Sequence, residues 1–295
     1  MSTYSPSVIV TGGDGQLAAA ISHHDLSKQF NLHFCNHSEL DITSPTSINQ
    51  AIAKYIPDVI INCAAYTAVD KAEEEVSKAD RVNHIGAGHL GLICHKNQIK
   101  LIHLSTDYVF DGSKTDEYVE DDHADPINMY GKTKWLGEQA IRENCKNHVI
   151  LRISSVFSEY GHNFVRTILK AAHEKPVLRV VSDQSMCPTY AGHIAGALLT
   201  IAGKPAEKGT FHYCSSEPIS WHGFASAIVN ETKKHGSVLT DEIRAIPSTE
   251  FPTKAKRPQQ SVLNCSKIKE TYNIEQPSWR EAIKSIIPKL IQEKA

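Results

Sequence analysis

The chain has 295 residues, of which 41% are hydrophobic and 22% charged, with a formal net charge of −2. This is ordinary globular composition, with enough apolar residues for one large domain or two modest ones. Near-neutral charge without a long run of one sign excludes a surface built for nucleic acid or an anionic membrane, and no apolar stretch approaches the ~20 residues of a membrane span.

Val8-Ile9-Val10 is a β-branched run ending in Thr11-Gly12-Gly13-Asp14-Gly15-Gln16-Leu17-Ala18, after which apolar residues recur at helical spacing through Ile21 and Leu26. A second unit has a strand over 32–36 and a helix capped by Thr43 or Ser44, with Pro45 near its first position. Asp58-Val59-Ile60-Ile61-Asn62-Cys63 is an apolar run of the kind buried on both faces of a parallel sheet. The pattern then predicts a helix over roughly 71–97 and a fourth strand over 100–105. A long acidic loop over 107–125, a helix opening at Tyr130 and a fifth strand over 148–153 follow. Strands alternating with helices imply right-handed crossovers and a doubly wound parallel α/β sheet of the Rossmann type.

After Val156 the rhythm loosens. Helices are expected near 163–174, 190–202, 221–234 and 278–293, the last kinked by Pro288. Strands are expected near 177–182 and 210–214, and 243–258 reads as a proline-rich crossing. The chain divides into a dinucleotide-binding domain over 1–156 and a smaller α/β substrate-binding lobe over 157–295, some of whose segments can return to the sheet. Seven cysteines without a Cys-x-x-Cys pair read as reduced thiols of a cytoplasmic protein. The polar start from Met1 to Ser7 is unlike a secretory signal. The 16 histidines show no metal-ligand spacing, so no metal is expected, and His23-His24 reads as surface.

Gly12-x-x-Gly15-x-x-Ala18 between a first strand and a helix is a variant of the dinucleotide fingerprint. One glycine permits the tight turn, another lets backbone N–H groups approach the pyrophosphate, and the helix N-terminus faces the phosphates. The second strand ends in Cys35-Asn36-His37-Ser38, without the Asp or Glu that would hold a free ribose 2′-hydroxyl. This leans toward NADPH, while Glu39 within reach leaves NADH open. Tyr130 and Lys134 are four apart on an expected helix and share a face. That spacing is one that chance supplies in a chain with 10 tyrosines. It gains weight from Thr106 at the end of the fourth strand, at the carboxyl edge where open α/β sheets bind ligands.

Across nearly its whole length the sequence resembles the extended short-chain dehydrogenase/reductases, and within them the dTDP-4-dehydrorhamnose reductase family. The runs that carry the resemblance are Asn62 to Glu73, Ser105 to Phe110 and Pro126 to Lys134, followed by Asn163-Phe164, Asp183-Gln184 with Pro188-Thr189, and Phe251-Pro252-Thr253 leading to Arg257-Pro258. The resemblance implies reduction of the C4 ketone of a nucleotide-linked 4-keto-6-deoxy sugar, for surface polysaccharide synthesis. Tyr130 would protonate the carbonyl oxygen, Thr106 would hydrogen-bond it, and Lys134 would hold the nicotinamide ribose and lower the tyrosine pKa. It further implies cofactor contacts from Gly12, Gly15, Gln16, Leu17, Asp41, Ile42, Ala64, Ala65 and Tyr66. Substrate contacts would come from Val69, Asp107, Asn163, Gln184 and Arg257, and a homodimer is allowed.

Related sugar-nucleotide dehydratases carry Thr-Asp-Glu at this strand end, whereas Thr106-Asp107-Tyr108 lacks the glutamate and favours simple ketone reduction. Two departures concern the sugar. Arg152-Ile153-Ser154-Ser155 replaces a run ending in tryptophan, and Asp183 to Thr189 lacks a glycine usual beside the nucleotide. A second reading is a non-catalytic NADP-binding regulatory subunit similar to the methionine adenosyltransferase beta subunit. A third is a reductase of a different 4-keto nucleotide sugar.

Overall fold

The computed structural model describes residues 4–205 and 207–292. Six parallel strands form the central sheet: β1 (Ser7–Thr11), β2 (Asn31–Cys35), β3 (Val59–Asn62), β4 (Lys100–Thr106), β5 (His148–Ile153) and β10 (Gly209–Tyr213). Their order across the sheet is β10-β5-β4-β3-β1-β2. The order reverses between β1 and β3, which opens a crevice at their carboxyl ends. Side chains alternate between two apolar layers. Val8, Val10, Ile61 and Val149 face one layer, which α1 (Gln16–His23) and α8 (Ala191–Gly203) close. Ile9, Ile60, Leu101 and Ile150 face the other, closed by α2 (Pro45–Tyr55) and α5 (Ala87–Lys96). Each such buried aliphatic side chain contributes about 1.5–3 kcal/mol, so the continuous apolar strands drive the sheet to the centre.

Local signals place the helix ends. Ser44 caps α2 by accepting the Ser47 N–H at 3.3 Å, with Pro45 in the first position. The helix expected over 71–97 is instead broken. It runs as α3 (Val69–Ala72), α4 (Val76–Asp80), one π-helical turn (Arg81–Gly86) and α5. Glu73-Glu74-Glu75 interrupts the apolar face, and the extra residue of the π turn rotates Asn83 into the interior, where it is 1% exposed.

Beyond β5, α7 (Phe164–Glu174), α9 (Trp221–Lys233) and α11 (Trp279–Gln292) share a separate apolar cluster around Phe157, Phe224 and Trp279. Helix α11 is uninterrupted across Pro288, and Glu293 lies outside the described residues. The crossing expected over 243–258 begins with β12 (Glu242–Ile246), which pairs in parallel with β7 (Val177–Val181). Two-residue strands also pair, β6 (Val156–Phe157) with β9 (Thr189–Tyr190) and β8 (Ser185–Met186) with β11 (Ile219–Ser220). The sequence pattern missed α10 (Ser266–Tyr272), a short helix that packs on β10. Among the described residues, no helix is long and apolar enough to cross a membrane, and no group of three His, Cys, Asp or Glu side chains could hold a metal ion.

Helix α6 (Met129–Asn144) is tied to the sheet by a buried ion pair. Arg152 on β5 donates through Nε to Glu138 Oε1 at 3.0 Å and through a terminal nitrogen to Oε2 at 2.8 Å. Arg142 adds a bond to the same carboxylate at 2.7 Å and reaches Thr210 on β10 at 2.8 Å. Burial pushes the Glu138 carboxyl upward, but the Arg152 and Arg142 charges outweigh it and hold the group below its ordinary range. Glu138→Gln leaves the buried Arg152 charge uncompensated. Chemical denaturation of this variant is expected to show a loss of about 3 kcal/mol or more.

Candidate active site

Strand β4 ends at Thr106 and turns at once into a single 3-10 turn, Asp107–Val109, which Thr106 caps by accepting the Tyr108 N–H at 3.2 Å. Helix α6 begins beside this turn. Asn128 caps it by accepting the Gly131 N–H at 2.8 Å, and its amide also donates to the Lys256 carbonyl at 2.8 Å. The two elements approach so closely that a Cβ on Gly131 would lie 2.0 Å from the Tyr108 carbonyl oxygen. This contact brings Tyr130 beside Thr106, near enough for the hydroxyl to lower the pKa of the phenol. The Tyr108 ring meets the Tyr130 ring edge-on with centroids 6.0 Å apart.

Electrostatics differ from the sequence expectation. Burial pushes Tyr130 up to about 12, with the Thr106 hydrogen bond acting against it. Lys134 was expected to lower the phenol, but its amine points into the sheet. It donates to the Leu104 carbonyl at 2.5 Å and lies 3.2 Å from His103 Nε2. Burial pulls Lys134 itself down to about 8, opposed by the nearby Glu138 carboxylate. The desolvation cost of an enclosed ionisable group outweighs an opposing influence in both cases.

The glycine turn lies at the switch point. Gly12 has φ 67, in the left-handed region, and a Cβ there would sit 3.0 Å from the Ala64 nitrogen. Gly13, which the fingerprint spacing did not single out, is equally tight against Cys35 and donates to its carbonyl at 2.9 Å. Gly15 is the N-cap of α1, and Gln16 in its first turn accepts from the Ser158 hydroxyl at 3.0 Å. Leu17 is buried beneath the turn. The Ala64 N–H donates to Thr11 Oγ1 at 3.1 Å, and Ala65 follows in the half-exposed crossing to Tyr66. Tyr66 is pinned by Asn83, which accepts its N–H at 2.8 Å, donates to its carbonyl at 3.1 Å and donates to Thr133 on α6 at 3.1 Å. Ile42 packs under Gly86 of the π turn, and Asp41 Oδ1 accepts the Thr43 N–H at 2.8 Å. Glu39 folds back to accept the Asn36 N–H at 3.0 Å.

The residues expected to contact substrate fall into two sets. Arg257 donates to Asp70 at 2.7 Å and faces Tyr108, whose ring meets that of Tyr130, and Val69 opens α3 one residue before Asp70. Asp107 is turned inward. Its two oxygens accept from Thr106 at 3.1 Å and from Ser154 on β5 at 2.8 Å. Burial raises its carboxyl to about 6 against those hydrogen bonds and one from Ser261. Asn163 is the N-cap of α7 and donates to the Ser158 and Tyr160 carbonyls at 2.8 and 3.2 Å. Gln184 is buried just before β8. Ser155 holds φ 42, and its carbonyl accepts the Thr189 N–H at 3.0 Å.

Sequence reasoning did not single out His103, Asn62 or Asn83 as site residues. Asn62 and His103 interrupt strand runs that are buried on both faces, and a polar group there needs a partner. That was the available signal. Asn83 gave none, because its inward position depends on the π turn.

Two predictions follow from this geometry. In Gly131→Ala the new methyl collides with backbone, so kcat is expected to fall at least tenfold and thermal unfolding to register a loss of about 1–3 kcal/mol. For Asp107 the folded carboxyl is raised above its unfolded value of 3.8 to about 6. The folded state therefore binds the extra proton between those values, and that contribution is fully present below about 3.8 and lost as pH rises through about 6. Denaturant titrations should show the wild type gaining on Asp107→Asn by up to about 3 kcal/mol as pH falls from 7 to 4.

Residues 6–292 match the RmlD substrate binding domain model. A dTDP-4-dehydrorhamnose reductase of Aggregatibacter actinomycetemcomitans is 38% identical over 287 residues, covering 95% of this chain and 97% of that protein. The Bacillus subtilis spore coat polysaccharide biosynthesis protein SpsK is 38% identical over 280 residues, covering 95% of this chain and 96% of that one. The crystal structure of a Bacillus anthracis dTDP-4-dehydrorhamnose reductase in complex with NADP superposes with a TM-score of 0.91 at 30% identity, covering 97% of this chain and 100% of that one. With a family model spanning nearly its full length and relatives this similar, the chain belongs to the RmlD substrate binding domain family.

Proposed function

We propose that the chain reduces the C4 ketone of a nucleotide-linked 4-keto-6-deoxy sugar with NADPH, converting dTDP-4-dehydro-L-rhamnose to dTDP-L-rhamnose in the cytoplasm. The observation that carries this reading is the placement of the Tyr130 phenol beside the Thr106 hydroxyl at the carboxyl edge of the sheet, in a chain 38% identical to a named reductase over 95% of its length. A dinucleotide fits the residues present. The missing Cβ at Gly12 leaves room against Ala64, and α1 begins directly at Gly15. Glu39 is engaged with the Asn36 backbone, which supports NADPH over NADH.

NADPH, when bound, supplies the hydride. The protein's part is the oxygen. Reduction turns a carbonyl oxygen into an alkoxide, and Tyr130 is the phenol placed to give it a proton. Thr106, whose one hydroxyl hydrogen goes to Asp107 in the free protein, turns it to that same oxygen and lowers the barrier where negative charge develops. A phenol pushed up to about 12 stays protonated at neutral pH and is ready to donate. Lys134 fixes the depth of the site beneath Tyr130, one helical turn on. Val69 and Arg257 border the sugar side, and Asn163 and Gln184 shape the nucleotide side from the C-terminal half. The inward-facing Asp107 supports Thr106 rather than abstracting a proton from the sugar, which suits reduction over dehydration.

A non-catalytic regulatory reading is disfavoured by the presence of Thr106, Tyr130 and Lys134 on adjoining elements. The purified chain is expected to oxidise NADPH with dTDP-4-dehydro-L-rhamnose, and to use NADH less well at equal concentration. Binding of NADP without turnover would return the regulatory reading to first place. Tyr130→Phe removes only the phenolic donor and should lower kcat at least a hundredfold, on the order expected for general-acid catalysis, with little change in cofactor affinity.

A further inference from the structure

Tyr130 lies in the first turn of α6, where backbone N–H groups have no partner within the helix and the chain frays most easily. The Gly131 contact with the Tyr108 carbonyl limits how closely this turn can approach the end of β4. A steric stop of that kind does nothing to keep the turn from lifting away, so an attractive tie has to oppose the outward motion.

Two ties are present. The Asn128 side chain takes the Gly131 N–H at 2.8 Å. The Met129 N–H, one residue before Tyr130, donates to Glu73 Oε1, also at 2.8 Å. The direction of this bond is fixed, because a backbone N–H can only donate and a carboxylate oxygen accepts. Glu73 belongs to a different element, being the C-cap of α3. Helix α6 has no acidic residue in its own first turn, so the carboxylate that a helix N-terminus favours is brought to it from α3.

Glu73 is itself held in place. Asp70, Glu73 and Glu74 stand at i, i+3 and i+4, which gathers them on one side of α3 and its cap. Asp70 accepts the Ala255 N–H at 3.1 Å and Arg257 at 2.7 Å, and Glu74 pairs with Lys254. Asn128 donates to the Lys256 carbonyl of the same segment at 2.8 Å. Ala72, immediately before Glu73, is fully buried and anchors the end of α3 from beneath.

We propose that Glu73 is a positioning residue for Tyr130, holding the first turn of α6 through its hydrogen bond to the Met129 amide so that the phenol stays beside Thr106. The inference rests on the reductase reading for the role of Tyr130. Its basis is geometric: the held amide and Tyr130 belong to adjacent residues, so a turn that lifts at Met129 carries the phenol with it. Glu73 reaches α6 through backbone alone, which separates its effect from binding of cofactor or sugar.

Three variants of the full chain test this. Glu73→Gln keeps an acceptor oxygen at the same reach, Glu73→Asp keeps the carboxylate but is one methylene shorter, and Glu73→Ala keeps neither. In the Asp and Ala variants kcat is expected to fall about tenfold, while Glu73→Gln stays near the wild-type value and KM and NADP affinity hold in all three. Wild-type kcat in Glu73→Ala, a change confined to KM, or a loss in Glu73→Gln as large as in Glu73→Asp overturns the inference. So does the reverse order, with Glu73→Asp active and Glu73→Gln impaired, which would make the effect one of charge. Should Glu73→Ala fail to fold, the Asp and Gln variants carry the same contrast. Amide hydrogen exchange on the ligand-free chain should show Met129 exchanging faster in the Asp and Ala variants but not in Glu73→Gln, and unchanged exchange in the first two overturns the inference. Absence of wild-type turnover would instead defeat the reductase reading, while the exchange measurement would still decide whether Glu73 holds the start of the helix.

Discussion

Helix α6 has carbonyl oxygens of two other segments pressed against its backbone. A side chain at Gly131 would meet the Tyr108 oxygen, and one at Gly137 would lie 2.1 Å from the Asn83 oxygen. Between these two contacts the helix has almost no freedom to slide or roll. Tyr130 and Lys134 are therefore held by backbone packing, with Glu138 and Arg152 closing the next turn by charge. Pre-organisation of this kind leaves a proton donor correctly aimed before substrate arrives. It also explains why the segment preceding α5 is irregular, since the π turn supplies the Asn83 carbonyl that meets Gly137.

Much of this was legible in the residues. The apolar runs at Val8, Val59, Leu101 and Val149 declared a parallel sheet because only burial on both faces tolerates them, and the glycine turn, Thr106, Tyr130 and Lys134 fell where βα alternation placed them. What stayed hidden depends on long-range packing. The break of the expected 71–97 helix reflects where Asn83 must point, and the parallel pairing of β12 with β7 needs a neighbour 65 residues away, such as Glu242 opposite Val177. The inward turn of Asp107 was invisible because its partners Ser154 and Ser261 come from distant segments.

Three ionisable groups at the site, Asp107, Tyr130 and Lys134, are shifted by the same cause, withdrawal from water, and all three toward their neutral forms. At neutral pH this leaves Tyr130 protonated, a neutral donor suited to a reaction whose charge is created only in passing on one oxygen. Fixed dipoles and hydroxyls stabilise such charge without attracting it beforehand. An ammonium acidifying the phenol, expected from the sequence, is not among the influences on Tyr130, where burial dominates and the Thr106 hydroxyl opposes it.

The last strand of the central sheet, β10, pairs with β5 although nearly sixty residues separate them. During synthesis β5 is therefore complete long before its outer neighbour exists. Until Gly209–Tyr213 leaves the ribosome, an apolar parallel strand with unpaired N–H and C=O groups stands at the edge of the nascent sheet. The lobe between them must be made, and must stay out of the way, before that edge is covered. Truncation after β5 would yield a fragment with the nucleotide turn intact and a sticky flank, so the C-terminal half guards the solubility of the N-terminal half as well as completing its site.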